Sequence, residues 1–201
     1  AQPTMQSLIF ATGNPHKVNE VTAMIGDLYR IQSLADIGCR EEIPETAETI
    51  EGNALLKARY VRDRYGLDCF AEDTGLEIDA LGGEPGVYSA RYAGPQRDAA
   101  ANMALVLEKM ARKRDRSARF RTVIALTLDG EEHTFEGVAE GRILTDAQGG
   151  GGFGYDPIFQ PAGEERSFAE MTAPEKNAIS HRGRALRQLV AFLRSRDFKS
   201  P

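Results

Sequence analysis

The stretch Ser7–Ile25, SLIFATGNPHKVNEVTAMI, reads as strand, tight turn and helix. Ser7–Ala11 is a short apolar run, Thr12-Gly13-Asn14-Pro15 breaks it, and Val18, Val21, Met24 and Ile25 then recur at helical spacing. The same alternation returns downstream. Between Thr49 and Tyr65, residues Ile50, Ala54, Ala58, Val61 and Tyr65 share one helical face, Gly66 stops the helix, and Leu67–Ala71 is strand-like. Alternating strands and helices predict an α/β sheet. Further along, residues 97–114 place Ala99, Met103, Val106 and Met110 on one stripe and read as a long helix with a basic end. Arg119–Leu128 and His133–Leu144 flank Asp129-Gly130, a hairpin-type turn, and predict antiparallel strands. Gly149–Pro161 is glycine-rich and reads as a loop, and Ile179, Leu186, Leu189, Val190 and Leu193 mark a C-terminal helix. The expected architecture is a mixed sheet flanked by helices, with the antiparallel hairpin forming the second lobe.

The chain has 201 residues, somewhat more than the roughly 150 of a typical domain, so one domain of two lobes over residues 5–201 is expected. Ala1–Thr4 read as a cloning remnant ahead of a natural start at Met5. A hydrophobic share of 41% excludes disorder. The longest apolar runs, such as Val123–Leu126 and Leu189–Leu193, fall far below the ~18 residues of a membrane span. With 25 basic and 30 acidic residues the net charge is −5, which argues against a general nucleic-acid or anionic-membrane binder and toward small ligands. The basic run Lys109–Arg121 reads as charge at a helix end rather than as a nucleic-acid patch. Two cysteines, Cys39 and Cys69, are too few for a disulfide framework and fit a reducing cytoplasm.

Four segments carry chemistry. The Thr12-Gly13-Asn14-Pro15-His16-Lys17 turn sits where a strand hands over to a helix, which is an anion site in outline: helix-start N–H groups, hydroxyl and amide side chains, and a lysine charge. Glu72-Asp73-Thr74-Gly75 puts two carboxylates at the end of an apolar strand, and a turn at Thr74-Gly75 would let both reach one hard divalent cation. Gly149–Gly154 satisfies GxGxxG by accident of its glycine run, since Tyr155-Asp156-Pro157 follows where a dinucleotide motif needs a helix. Phe153 and Tyr155 instead offer aromatic faces to a base. Ser180 caps the last helix and leaves His181 and Arg182 at its start, off the apolar stripe and open to acceptors such as phosphate or a purine O6. Glu41, Glu42, Glu45, Glu48 and Glu51 read mostly as solvated or as partners of the second helix's dipole.

Five motifs then occur in one order: ATGNPHK, EGNALLKA, AEDTGLEIDALGGEPGVYSARYAG, GGFGYDPIF and EKNAISHRGRAL. Together, from about Ser7 to Leu193, they strongly resemble the inosine triphosphate pyrophosphatase family, which removes deaminated purine nucleoside triphosphates. The resemblance implies a two-lobed α/β fold with a substrate cleft between the lobes, a homodimer, dependence on Mg2+, and hydrolysis of ITP, dITP or XTP to the monophosphate and pyrophosphate. It implies phosphate binding by Thr12, Gly13, Asn14, Pro15, His16 and Lys17, with Lys57 also directed at the phosphates. Asp73 would be proton acceptor and metal ligand, Glu72 its acidic neighbour where many relatives have Asp, and Thr74 the hydroxyl residue beside it. The second upstream metal acid matches Glu45 best, with Glu42 as the alternative. Base recognition carries over to Phe153, Gly154, Tyr155, Asp156, Lys176, His181 and Arg182. Donors aimed at O6 would reject adenine, whose amino group would leave them unpaired. A related pyrophosphatase of other modified nucleotides and a non-catalytic nucleotide sensor are the competing readings.

Overall fold

A computed structural model describes residues 5–199, so the expectation for Ala1–Thr4 lies outside the described residues. Strand β1 (Gln6–Phe10) ends in Leu8, Ile9 and Phe10, all buried. Helix α1 (Pro15–Ile25) starts where the sequence places it: Asn14 is extended and its side chain accepts from the His16 N–H, while Pro15 takes a position that needs no donor. Val18, Val21 and Ile25 face inward, whereas Met24 stays 37% exposed. Strand β2 (Tyr29–Gln32) returns parallel to β1, Leu8 opposite Ile31.

Helix α2 (Ile50–Tyr65) is capped by the Thr49 side chain on the Gly52 N–H and closed by Gly66 in the left-handed conformation. It buries Ile50, Ala54, Ala58 and Val61. Strand β3 (Cys69–Ile78) runs parallel to β1, with Ile9 opposite Cys69. It is twice as long as the sequence suggests. The turn expected at Thr74-Gly75 does not form, because Thr74 shares a 2.7 Å hydroxyl hydrogen bond with Thr122 across the sheet and Gly75 and Leu76 are buried in the continuing strand. Strand β4 (Pro85–Gly86) pairs antiparallel with its far end.

Helix α3 (Ala99–Met110) is shorter than the 97–114 read from periodicity. Asp98 caps it through two N–H groups, and Arg116 closes the other end by donating to the Met110 carbonyl. Strands β5 (Ser117–Leu128) and β6 (Glu131–Ile143) form the expected hairpin, with Asp129 and Gly130 both at positive φ, the geometry of a two-residue turn. The arginines of β5 are paired: Arg119 with Asp79 and Glu140, Arg121 with Glu77 and Glu136. Part of the glycine-rich loop is regular after all, since strand β7 (Phe159–Pro161) pairs antiparallel with β6. The C-terminal helix is two helices, α4 (Ala173–Ile179) and α5 (His181–Lys199), broken at an extended Ser180. The strand order is β2-β1-β3-β5-β6-β7.

Two compact units divide the chain. The first takes the chain up to Asp73, Val123–Phe135 and the part from Leu186, so the hairpin is divided between the units and does not form a lobe by itself; one core cluster of this unit joins Ile9, Ile50, Ala54, Ala58, Val61, Cys69 and Val123. The second takes Thr74–Thr122 and Glu136–Ala185, around Leu76, Val106, Phe120, Phe159 and Phe168. No helix among the described residues is long and apolar enough to cross a membrane.

Candidate active site

Polar side chains gather in each unit. In the first, the β1–α1 turn is held by its own side chains: the Asn14 N–H donates to Thr12 Oγ1 at 3.1 Å and the His16 N–H to Asn14 Oδ1 at 3.0 Å. Gly13, Asn14, Pro15 and His16 are exposed on this turn. Lys17, one turn into α1, donates to Glu72 Oε1 at 2.7 Å. The parallel register of β1 and β3 sets this pair, because it brings the end of β3's first half beside the start of α1.

Lys57 is the centre of the second cluster. Its ammonium donates to the Glu72 carbonyl at 2.6 Å and to Glu45 Oε1 at 3.1 Å, and lies 3.8 Å from Asp73 Oδ1. Its side chain is only 13% exposed, so the charge is partly withdrawn from water and its interactions are weakly screened. Glu45 and Asp73, far apart in sequence, therefore lie within 4 Å of one nitrogen. Glu42 is exposed in the same loop, and it is Glu45 that reaches Lys57. Glu72 turns its carboxylate to Lys17 instead. Among the described residues no three His, Cys, Asp or Glu side chains converge to hold a metal ion. A magnesium ion takes one or two carboxylates when phosphates and water complete its shell, so the hard oxygen donors of Asp73 and Glu45 fit one.

The loop carrying Glu45 lies along α2. The Ala47 N–H donates to Asn53 Oδ1 at 2.9 Å, Ile43 is buried among Ile50 and Ala54, and Glu41 accepts from the hydroxyls of Tyr60 (3.0 Å) and Tyr65 (2.7 Å). Arg64 adds an ion pair at 3.2 Å. The Tyr65 hydroxyl beside it is the main reason the Glu41 carboxyl is pulled down to about 2, the backbone N–H and Tyr60 adding to it.

The second unit holds a cavity of about 270 Å³ whose lining includes Thr74, Ser89, Arg97, Asn102, Phe153 and His181. His181 is not open to solvent as the sequence suggests. It is 5% exposed, stacks on Phe120 at 4.6 Å and 19°, and its Nδ1 has no hydrogen-bond partner. Burial, helped by the charges of Lys176 and Arg182, pushes its pKa down to about 3, so the ring is neutral near pH 7. Gly137 of β6 makes room for it, since a Cβ there would overlap the His181 carbonyl oxygen and crowd the Ala185 nitrogen. Ser180 caps α5 through the Gly183 N–H, as expected.

The two aromatics divide their roles. Phe153 is 70% exposed, with the Lys176 ammonium 4.3 Å from its ring centre. Tyr155 is buried instead, and its hydroxyl donates to the Ser89 carbonyl at 2.6 Å, so it anchors the loop while remaining part of the cavity lining. Asp156, 2% exposed, accepts from Lys176 Nζ at 2.6 Å and from the Phe153 N–H at 3.0 Å. Its side chain folds back over Gly152, whose φ of +68° and missing Cβ leave the space. Arg182 is half-buried at the start of α5.

Sequence reasoning missed Asn102, which is buried on the apolar stripe of α3 and braces the cavity wall by accepting from the Ala93 N–H and donating to the Ala90 carbonyl. A polar residue on that stripe was the available signal.

The model of the Ham1 family matches residues 8–192. A relative from Porphyromonas gingivalis named dITP/XTP pyrophosphatase is 55% identical, over 94% of this chain and 98% of its own. Another of that name, from Flavobacterium johnsoniae, is 53% identical over 92% and 97%. The solved structure of the Staphylococcus aureus Ham1 protein superimposes with a TM-score of 0.91 at 35% identity, covering 95% of this chain and 100% of that one.

Proposed function

The chain belongs to the Ham1 family, and from that premise we propose that it hydrolyses the deaminated purine nucleoside triphosphates ITP, dITP and XTP to the monophosphate and pyrophosphate. The observation that carries the reading is the meeting of Glu45 and Asp73 at Lys57, beside a phosphate-type turn that delivers Lys17. In this reading Asp73 takes a proton from the attacking water as its oxygen bonds to the α-phosphorus. The bond from that phosphorus to the bridging oxygen breaks, and pyrophosphate leaves with the electron pair. Lys17 and Lys57 stabilise the charge developing on it, exchanging part of their carboxylate pairing for phosphate. The β1–α1 turn orients the phosphates through Gly13 and the residues around it.

Asp73 and Glu45, joined by Glu72 once Lys17 turns to phosphate, would hold Mg2+, which when bound would neutralise phosphate charge and polarise the reacting phosphoryl oxygens. The base would lie on the exposed face of Phe153. The buried His181 and the Lys176–Asp156 pair offer donors suited to O6 and poorly suited to an exocyclic amine. We further expect a homodimer acting in the cytoplasm, with no nucleic-acid partner.

The test is pyrophosphate release from ITP, XTP, ATP and GTP, with and without magnesium, for wild type and Asp73→Asn side by side. Magnesium-dependent release from ITP and XTP, lost in the variant, is the expected result. Near-normal turnover by Asp73→Asn at saturating magnesium would remove Asp73 from its role. ITP binding without cleavage in the wild type would favour a sensor.

A further inference from the structure

The loop from Glu41 to Ala47 meets α2 in strict reverse order. Ala47 bonds Asn53, Glu45 bonds Lys57, and Glu41 bonds Tyr60, Arg64 and Tyr65. Asn53, Lys57, Tyr60 and Arg64 are spaced by four, three and four residues, so they form a single stripe along the helix. The loop is thus a strap laid antiparallel on that stripe, with Ile43 tucked into the core between its fastenings. Glu45 has no regular secondary structure of its own. Its position is set by what holds the strap on either side. Its fastenings include, on the Ala47 side, the bond to Asn53 and, on the other, the Glu41 carboxylate, where Oε1 takes both tyrosine hydroxyls and the Arg64 ion pair and Oε2 takes the Arg40 N–H at 3.1 Å. A carboxylate serving only as a solvated charge would not be gripped from two turns of a neighbouring helix.

We propose that Glu41 is a positioning residue: its clasp on Tyr60, Tyr65 and Arg64 holds the strap so that Glu45 stands at Lys57 beside Asp73, and thereby sets the affinity of the site for its divalent cation. The proposal rests on the reading of Asp73 and Glu45 given above. The Glu41 carboxylate is taken up by Arg40, Tyr60, Arg64 and Tyr65, so its removal would act through Glu45.

The experiment compares Glu41→Ala, Glu41→Gln, the milder Tyr65→Phe, and Glu45→Gln as reference. Two quantities are measured: the Mg2+ concentration giving half-maximal pyrophosphate release from ITP, and amide hydrogen exchange over residues 40–48 in the nucleotide-free and metal-free protein. Glu41→Ala is expected to raise the half-saturating Mg2+ about tenfold, the scale of lost support behind a metal ligand. Turnover at saturating Mg2+ and the KM for ITP should stay within about twofold of wild type, consistent with an effect confined to cation affinity. Exchange over 40–48 should accelerate. Glu41→Gln, which keeps an acceptor for the hydroxyls, should recover part of both effects. Unchanged exchange and unchanged Mg2+ dependence in Glu41→Ala, with Glu45→Gln shifted, would overturn the proposal and leave the functional reading intact. Unchanged Mg2+ dependence in Glu45→Gln would overturn the metal role of Glu45 itself, while the exchange data would still report whether Glu41 fastens the strap.

Discussion

Lys57 illustrates how much one side chain can organise. Its ammonium satisfies a backbone carbonyl and lies within 4 Å of two carboxylates, so removing it takes away a positive charge that Glu45 and Asp73 share. Lys57→Met should lower kcat for ITP by about a hundredfold or more, the scale of a lost transition-state donor. Steady-state pyrophosphate release at several Mg2+ concentrations checks this, and a loss made good by added metal alone would assign Lys57 to metal assembly only. His181 gives a prediction of another kind. Its folded pKa of about 3 lies below its ordinary value of 6.5, so between those values the unfolded chain takes up a proton that the folded protein refuses. Its contribution to stability is therefore complete above pH 6.5 and is lost as the pH falls toward 3. Thermal midpoints measured from pH 7 to pH 4.5 should fall less steeply in His181→Phe than in wild type; parallel curves would mean that the ring is protonated in the fold.

At the level of elements, the boundaries set by local chemistry are legible in the sequence and those set by pairing are not. Asn14-Pro15, Thr49 with Gly66, and Ser180 each mark a helix end through a bond to a nearby backbone group, and each does so in the structure. Thr74-Gly75 looks like a turn for equally local reasons, yet β5 lies alongside and the Thr74–Thr122 bond keeps the strand going. The burial of His181 depends on Phe120, sixty-one residues away, and no pattern around Ser180 announces it. The lysine-centred meeting of Glu45 and Asp73 is likewise a product of how α2 lies beside β3; family motifs pointed to these residues, whereas spacing alone did not. Gly137 tests the approach of α5 to β6. Gly137→Ala should cost about 1–3 kcal/mol as an overpacked contact. It should also raise the KM for ITP, because the displaced turn carries His181. Thr49→Ala, which removes the α2 cap, should cost about 1 kcal/mol and leave KM unchanged. Melting curves and ITP kinetics on the two variants separate the effects, and equal KM values would detach the α5 start from base recognition.

For the whole molecule, the apolar packing of each unit supports a different chemistry. Phe10 stacks on Phe70 at 4.4 Å in the first unit; Phe159 packs on Phe120 at 4.6 Å and Phe168 at 5.3 Å in the second, under the ring that carries His181. Phe10→Ala and Phe159→Ala should each cost about 3–5 kcal/mol. Only Phe159→Ala should lower the ratio of kcat/KM for ITP to that for ATP, because only its core backs the cavity wall. A ratio lowered equally in both would show that base selection is not a local property of the second unit. One last property belongs to the chain as a whole: it contains no tryptophan. The ring at position 153 stands 70% exposed with an ammonium over it, so Phe153→Trp would place a single indole fluorophore at the surface on which a purine is expected to stack. Its emission, quenched by base stacking and undisturbed by any other indole, would turn nucleotide binding into an optical signal that can be followed in an Asp73→Asn background, where no bond is broken.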